Sequence, residues 1–319
     1  VPRLDDDFTP ALGLHDGHAQ TFFAVVARRA LKLPLERRRL DTPDGDFIDV
    51  DVLRGRPGAP TVLVVHGLEG SSQSGYVQQV LAGCQARGWH GWALNLRSCS
   101  GEPNRHAASY SSGDFRDVAW LLEEVLDGDV FVVGFSLGGS VVLNLLAQRP
   151  SPRLKAAVAV SAPYDLARGA RFLDSGQPFA RVYLGNFLLT MKAKALVKAA
   201  TFPGTIDPDA VRRAHTIRDF DHAVTAPLFG FSSAEDYYAR CSAGPQLAAI
   251  KAPTLLLSAM DDALAPADAI PPTAERHLDV LVTRHGGHVA FVEGSVLRPR
   301  FWAEARMLRW LDAYAPAPG

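Results

Sequence analysis

Residues 130–147, VFVVGFSLGGSVVLNLLA, are almost wholly apolar, yet a serine and three glycines stand at their centre. A bilayer span needs roughly 20 uninterrupted apolar residues, and Gly134, Ser136, Gly138, Gly139 and Asn144 break this run. The segment reads instead as a strand, a sharp turn and a helix. Gly134-Phe135-Ser136-Leu137-Gly138 fits G-x-S-x-G. A strand that turns straight into a helix strains the central residue and leaves no room for side chains at the flanking positions. In return, a hydroxyl is raised above the sheet at a helix N-terminus, where developing negative charge is favoured. A plain strand-to-helix turn is the competing reading of the pentapeptide alone.

The rest of the chain supplies the setting. A helical apolar pattern (Phe22, Phe23, Val25, Val26) runs through residues 11–30, and two strands at 36–41 and 47–53 flank the turn-rich TPDGD. Further strands are expected at 61–65, 89–96, 130–133, 156–160, 254–258 and 278–282. Helices are expected at 76–87, 113–126, 137–148 and 300–313. Strands alternating with helices predict a mostly parallel sheet covered on both faces. The alternation lapses over residues 164–246, a candidate helical cap inserted into one α/β domain that spans residues 1–319. The terminal APAPG is expected to fray.

Composition narrows the classes of partner. With 319 residues, 47% hydrophobic, 21% charged and a formal net charge of -1, the chain is an ordinary globular protein and a poor polyanion binder. The one dense basic run, RRRL at residues 37–40, suits a solvated strand edge. Three scattered cysteines, Cys84, Cys99 and Cys241, make neither a disulfide framework nor a zinc site and favour a reducing, cytoplasmic compartment. The opening VPRLDDDFTP lacks methionine and is acidic and polar, the reverse of a secretory signal.

A serine hydroxyl is a weak nucleophile at neutral pH and needs a base oriented by an acid. In this topology the acid follows in the chain, then the histidine. TLLLSAMDDALAP supplies a strand followed by Asp261 and Asp262, and VLVTRHGGHVAF a strand followed by His285 and His288. Asp262 is preferred because it lies four residues before Pro266, leaving Asp261 as a turn or cap residue. His288 is preferred because Gly286-Gly287 lets the chain bend inward, with His285 ending the strand. Oxyanion donors are expected at the backbone N–H groups of Leu137, after the nucleophile, and of Leu68 in the loop His66-Gly67-Leu68-Glu69-Gly70. Arg97, Glu102, Asn104 and Arg105 are read as a charged network pinning a loop. Cys99 is read as a small buried thiol, and Asp114 and Asp117 as helix-cap and dipole residues. His15, Asp16 and His18 lack metal-ligand spacing.

The segments GHAQTFF, HGLEGSSQSGY, NLRSCSGEPNR, GFSLGGSVVLNLL, SAPYDL, ARCSAGPQL, PTLLLSAMDDALAP and HGGHVAFVEG span almost the whole chain. Together they resemble the YheT-type branch of the α/β-hydrolase superfamily (the AB hydrolase 4 family), bacterial esterase-like proteins related to ABHD1/ABHD3-like and plant EMB8-like proteins. The resemblance implies an α/β-hydrolase core with a helical cap, Ser136, Asp262 and His288 as a triad, and hydrolysis of carboxylic esters. It leaves the substrate open, since some relatives act on phospholipids or monoacylglycerols or transfer acyl groups to alcohols. The resulting expectation is a cofactor-free serine esterase on short- to medium-chain acyl esters or small acylglycerols. The apolar residues Phe179, Tyr183, Phe187, Leu188 and Leu189 of the cap candidate suit an acyl chain or plain helix packing. An acyltransferase or thioesterase on the same triad and a non-catalytic binding protein are the alternatives.

Overall fold

The computed structural model describes residues 7–28, 31–272 and 276–316. The start of the acidic N-terminal stretch, the expected end of the first helix at Ala30 and residues 317–319 of the tail lie outside the described residues. The first half of the chain forms α1 (Gly17–Ala27), β1 (Glu36–Asp41), β2 (Phe47–Leu53), β3 (Thr61–Val65), α2 (Gly75–Arg87), β4 (His90–Asn95) and α3 (Arg116–Trp120), the last running into a π-helical turn, Leu121–Val125. The central unit is β5 (Val130–Phe135), α4 (Leu137–Gln148) and β6 (Leu154–Val160). Helices follow: α5 (Leu166–Leu173), α6 (Pro178–Thr201), α7 (Pro208–Arg213), α8 (Ile217–Phe220), a π-helical turn Asp221–Thr225, α9 (Ala226–Leu228) and α10 (Ala234–Cys241). The chain closes with β7 (Thr254–Ala259), β8 (Leu278–Thr283), β9 (Val292–Ser295), β10 (Arg298–Phe301) and α11 (Trp302–Asp312).

Eight strands make one sheet in the order β1-β2-β4-β3-β5-β6-β7-β8, with only the β1/β2 and β2/β4 pairs antiparallel. The central strands β3, β5 and β7 are buried along their whole length, which is why they read as continuous β-branched and leucine runs. Two apolar clusters cover the faces: one joins Leu63, Val132 and Leu256 to α4, the other joins Val64, Phe131 and Leu257 to α2 and α11. The helices between β6 and β7 gather a third cluster of their own around Tyr183, Leu188, Phe220 and Tyr237.

Several local expectations change in three dimensions. In α1 the buried face is Gly17, Gln20, Thr21 and Ala24, whereas Val25 and Val26 are exposed at 74% and 85%. Packing there is decided by close approach of small residues, not by hydrophobicity. The helix starts at Gly17 because the Asp16 carboxylate caps the Ala19 N–H at 2.9 Å. The expected C-terminal helix begins later, because Arg298–Phe301 pairs with Val292–Ser295 as a hairpin. The N-cap position of α3 is Phe115, but Asp114 just before it accepts from the Arg116 N–H at 3.3 Å and Asp117 stands in the first turn, where the helix dipole favours a carboxylate. Asp114 also pairs with the Arg116 side chain at 2.8 Å and Asp117 with Arg97 at 2.6 Å. The basic edge strand is more than solvated: Arg37 and Arg39 make two-pronged bonds across to Asp51 and Asp49 on β2.

The loop after β4 is held as a charged network. Arg97, its side chain 4% exposed, bonds Asp44, Asp46 and Asp117 at 2.8, 3.3 and 2.6 Å. Asn104 donates to the Asp46 carboxylate and the Phe47 carbonyl, and its oxygen accepts from the Ser98 N–H. Arg105 reaches Asp41, and Glu102 pairs with Arg39. Asp46 is wholly buried, so removing the guanidinium leaves uncompensated charge. Arg97→Met is expected to cost about 3–5 kcal/mol, read as a lowered midpoint in chemical denaturation. A loss under about 1 kcal/mol, the scale of an exposed pair, would contradict this role.

Candidate active site

β5 delivers Ser136 to the C-terminal edge of the sheet. Its backbone, φ 51 and ψ -122, lies in a region side chains rarely adopt. The neighbours explain how the turn closes. A Cβ on Gly134 would overlap the Gly138 carbonyl, one on Gly138 would overlap the carbonyls of Val65 and His66, and one on Gly139 would press on Ala162. A Cβ on Gly67 would come within 3.0 Å of the Ser136 Cβ. Glycine at these positions lets the β3 loop, the turn and the helix meet.

His288 Nε2 lies 2.8 Å from Ser136 Oγ, and His288 Nδ1 lies 2.9 Å from Asp262 Oδ2 and 3.1 Å from Oδ1. A proton on Nδ1 donates to the carboxylate and leaves Nε2 as acceptor for the serine hydroxyl; this tautomer follows from the bonding partners. Asp262 is itself held, Oδ1 accepting from the backbone N–H groups of Leu264 and Ala265 at 3.0 and 2.9 Å. The carboxylate is fully buried and the imidazole mostly so.

Asp261 and His285 point elsewhere. Asp261 Oδ1 accepts from the Gly287 N–H at 2.8 Å, and its Oδ2 lies 3.6 Å from His285 Nδ1. Asp261 therefore braces the loop that carries His288. Gly286 at φ 150 and Gly287 at φ 58 make the bend that aims His288 inward.

The backbone N–H groups of Leu68 and Leu137 have no acceptor among the described residues, and both residues line the cavity with Ser136 and His288. The loop carrying Leu68 is fixed on several sides. Tyr76 Oη accepts from the Gly67 N–H at 3.0 Å. Tyr110 Oη accepts from the Glu69 N–H at 2.9 Å and donates to the Glu69 carboxylate at 2.8 Å. Lys194, from α6, pairs with the same carboxylate at 3.0 Å. Burial pushes the His66 imidazole down to about 4, so the ring is neutral near pH 7. His66 Nδ1 then donates to the Gly67 carbonyl at 2.7 Å while Nε2 accepts from the Leu96 N–H at 3.1 Å. Cys99 is a buried thiol, pushed up to about 11 by desolvation.

Two positioning residues escape a reading of the sequence by motif chemistry. Thr21 Oγ1 accepts from the His288 N–H at 2.9 Å and donates to the Gly17 carbonyl at 2.7 Å. Arg28 donates to the Val289 carbonyl at 2.7 Å and pairs with buried Glu304 at 2.7 Å. Both clamp the segment around His288, where Val289 is held at φ 58, a costly conformation for a β-branched residue. The pointer to Thr21 was its place in the GHAQTFF segment; nothing local marked Arg28.

The cavity over Ser136 and the solvent at its mouth together span about 1170 Å³ of atom-free space, walled by Leu137, Leu173, Met191, Ile217, Val224 and Leu228 among others. Of the five apolar residues singled out on α6, only Phe187 lines it. Tyr183 stacks on Phe22 at 5.0 Å and Leu188 joins the helical cluster, while Phe179 and Leu189 are 46% and 73% exposed. A helix turns about 100° per residue, so consecutive apolar positions cannot share one face. The cavity face is Phe187, Met191, Lys194, Ala195 and Lys198.

A family model described as alpha/beta hydrolase fold matches residues 60–295. The chain is 38% identical over 327 residues to the Escherichia coli (strain K12) protein named "Putative esterase YheT", covering 98% of this chain and 94% of that one. It is 26% identical over 310 residues to "Phospholipase ABHD3" of Homo sapiens, covering 92% and 75% of the two chains. The solved structure of the Pyrococcus furiosus esterase Pf2001 superposes with a TM-score of 0.56 at 16% identity, covering 98% and 97% of the two chains, and shares the fold. Among the described residues no helix is long and apolar enough to cross a membrane. The chain belongs to the α/β-hydrolase family, in the branch of YheT, ABHD3 and EMB8, and is a carboxylic ester hydrolase.

Proposed function

We propose that Ser136, His288 and Asp262 are the catalytic triad of this hydrolase, and that the N–H groups of Leu68 and Leu137 form its oxyanion hole. The observation that carries the reading is the unbroken relay from Ser136 Oγ through His288 to Asp262, at 2.8 and 2.9 Å. His288 takes the hydroxyl proton as Ser136 Oγ attacks the ester carbonyl. Asp262 holds the tautomer and stabilises the imidazolium. The two N–H groups meet the oxygen as it gains charge, the kind of contact whose loss costs about 10²- to 10³-fold in turnover. His288 then protonates the departing alcohol, leaving an acyl group on Ser136. Water gives its proton to the same imidazole, attacks the acyl carbon and releases the acid, and the proton returns to Ser136.

In this reading residues 164–246 act as a cap over the nucleophile. The substrates are short- to medium-chain acyl esters or small acylglycerols, supported by a mostly apolar cavity walled by α4, α5, α6 and the helices after them. No step needs a metal or an organic cofactor.

Ser136→Ala is expected to abolish ester hydrolysis and labelling by a fluorophosphonate; retained labelling places the nucleophile elsewhere. The two aspartates separate cleanly. Asp262→Asn is expected to lower kcat by several orders of magnitude through the wrong tautomer, while Asp261→Asn acts mainly on stability, and steady-state kinetics of both variants reverse the assignment if the larger loss falls on Asp261. A panel of esters graded in acyl length tests the substrate range. Activity should fall for long-chain lipids relative to butyryl or octanoyl esters, and equal turnover across the panel overturns the chain-length reading.

A further inference from the structure

One wall of the mostly apolar cavity carries a buried carboxylate. Asp221 opens the π-helical turn Asp221–Thr225 and is 7% exposed. Its Oδ1 accepts from Thr225 Oγ1 and its Oδ2 from Tyr238 Oη, both at 2.7 Å. Asp221, Thr225 and Tyr238 all line the same cavity as Ser136 and His288. No cation pairs with Asp221 among the described residues, and desolvation pushes it up to about 6. The carboxyl group thus sits in a poorly solvated place, held by two hydroxyl donors.

An uncompensated carboxylate beside apolar walls is costly unless its lone pairs are used. Two hydroxyls occupy one site on each oxygen, and an ionised carboxylate offers about four such sites. The remaining acceptor capacity belongs to a residue that lines the cavity over Ser136. Neither the proposed triad nor the oxyanion donors use this group. A purely apolar acyl pocket would gain from leucine or methionine here, as would the packing of the surrounding helices. π-Helical turns also occur frequently at functional sites.

We propose that Asp221 is a specificity-determining residue that accepts a hydrogen bond from a free hydroxyl on the substrate, so that the preferred esters carry a hydroxyl apart from the scissile bond. The inference rests on the serine-esterase reading and adds the substrate's second anchor. A hydroxyl bonded to a charged acceptor contributes on the order of tenfold or more in selection over an analogue with a methyl group in its place.

The test compares kcat/KM for three esters matched in length: one ending in a hydroxyl, one in a methyl and one in a trimethylammonium group. The wild-type enzyme should prefer the hydroxyl over the methyl ester about tenfold, and Asp221→Asn should shrink that ratio about tenfold. Equal wild-type turnover of the two overturns the inference without any variant, so it stays testable if Asp221→Asn fails to fold. A ratio unmoved in Asp221→Asn, with both rates falling together, marks a structural role and overturns it as well. A stronger preference for the trimethylammonium ester, lost in Asp221→Asn, replaces the hydroxyl by a cation and overturns the stated class. Ser136→Ala serves as the separate control. If it retains turnover of all three esters the triad reading fails, whereas loss of all three with an unmoved ratio in Asp221→Asn sinks this inference alone.

Discussion

The contact on which the rest of the site depends is the near-touch of backbones where β5 turns into α4. Ser136 can sit at φ 51 only because β3, its loop and the first turn of α4 come together without side chains between them. The strain of such a residue is of order 1–3 kcal/mol. The fully buried strand β5 and the almost fully buried helix α4 on either side offset it. The same approach crowds out a Cβ at Gly67 and Gly138, and Leu68 and Leu137 line the cavity together with Ser136. The proposed nucleophile and the proposed N–H donors therefore depend on one backbone junction.

The imidazole has a different support. Its loop leaves β8 through two glycines with positive φ and is then tied down by groups from distant parts of the chain. Thr21 holds the His288 N–H, Asp261 holds the Gly287 N–H, and Arg28 holds the Val289 carbonyl. α1, which precedes the sheet in sequence, thus acts as a brace for a histidine near the other end. That explains its unusual buried face of glycine, glutamine, threonine and alanine. Its work is close backbone approach and hydrogen bonding, and its valines are left outside.

The helices between β6 and β7 connect to this core through polar contacts as well as packing. Lys194 reaches across from α6 to Glu69, whose backbone follows Leu68, and Tyr110 bonds the same glutamate from below. A shift of α6 therefore bears directly on the loop that presents the Leu68 N–H. Asp221 sits in the same helical layer and lines the cavity, as do Lys194 and Lys198 of α6.

By itself the sequence determined the sheet, the turn and the chemical types at its rim. Buried parallel strands need unbroken apolar runs, a strand-to-helix elbow needs glycines at fixed offsets, and the order serine, aspartate, histidine fell on residues directly after strands. Those signals are local, and β3, β5, α4, β7 and β8 lie where they pointed. The choice of Asp262 over Asp261 leaned on spacing to Pro266, and only the fold shows the two carboxylates facing opposite ways, one to His288 and one to Gly287. Tertiary structure alone decided which face of α6 meets the cavity, that Val25 and Val26 stay in solvent, that Arg298–Phe301 pairs as a strand, and that Asp221 enters the cavity wall with no cation beside it among the described residues. The reason is common to all four: each depends on which surface a segment meets, and that partner is supplied by residues far away in the chain.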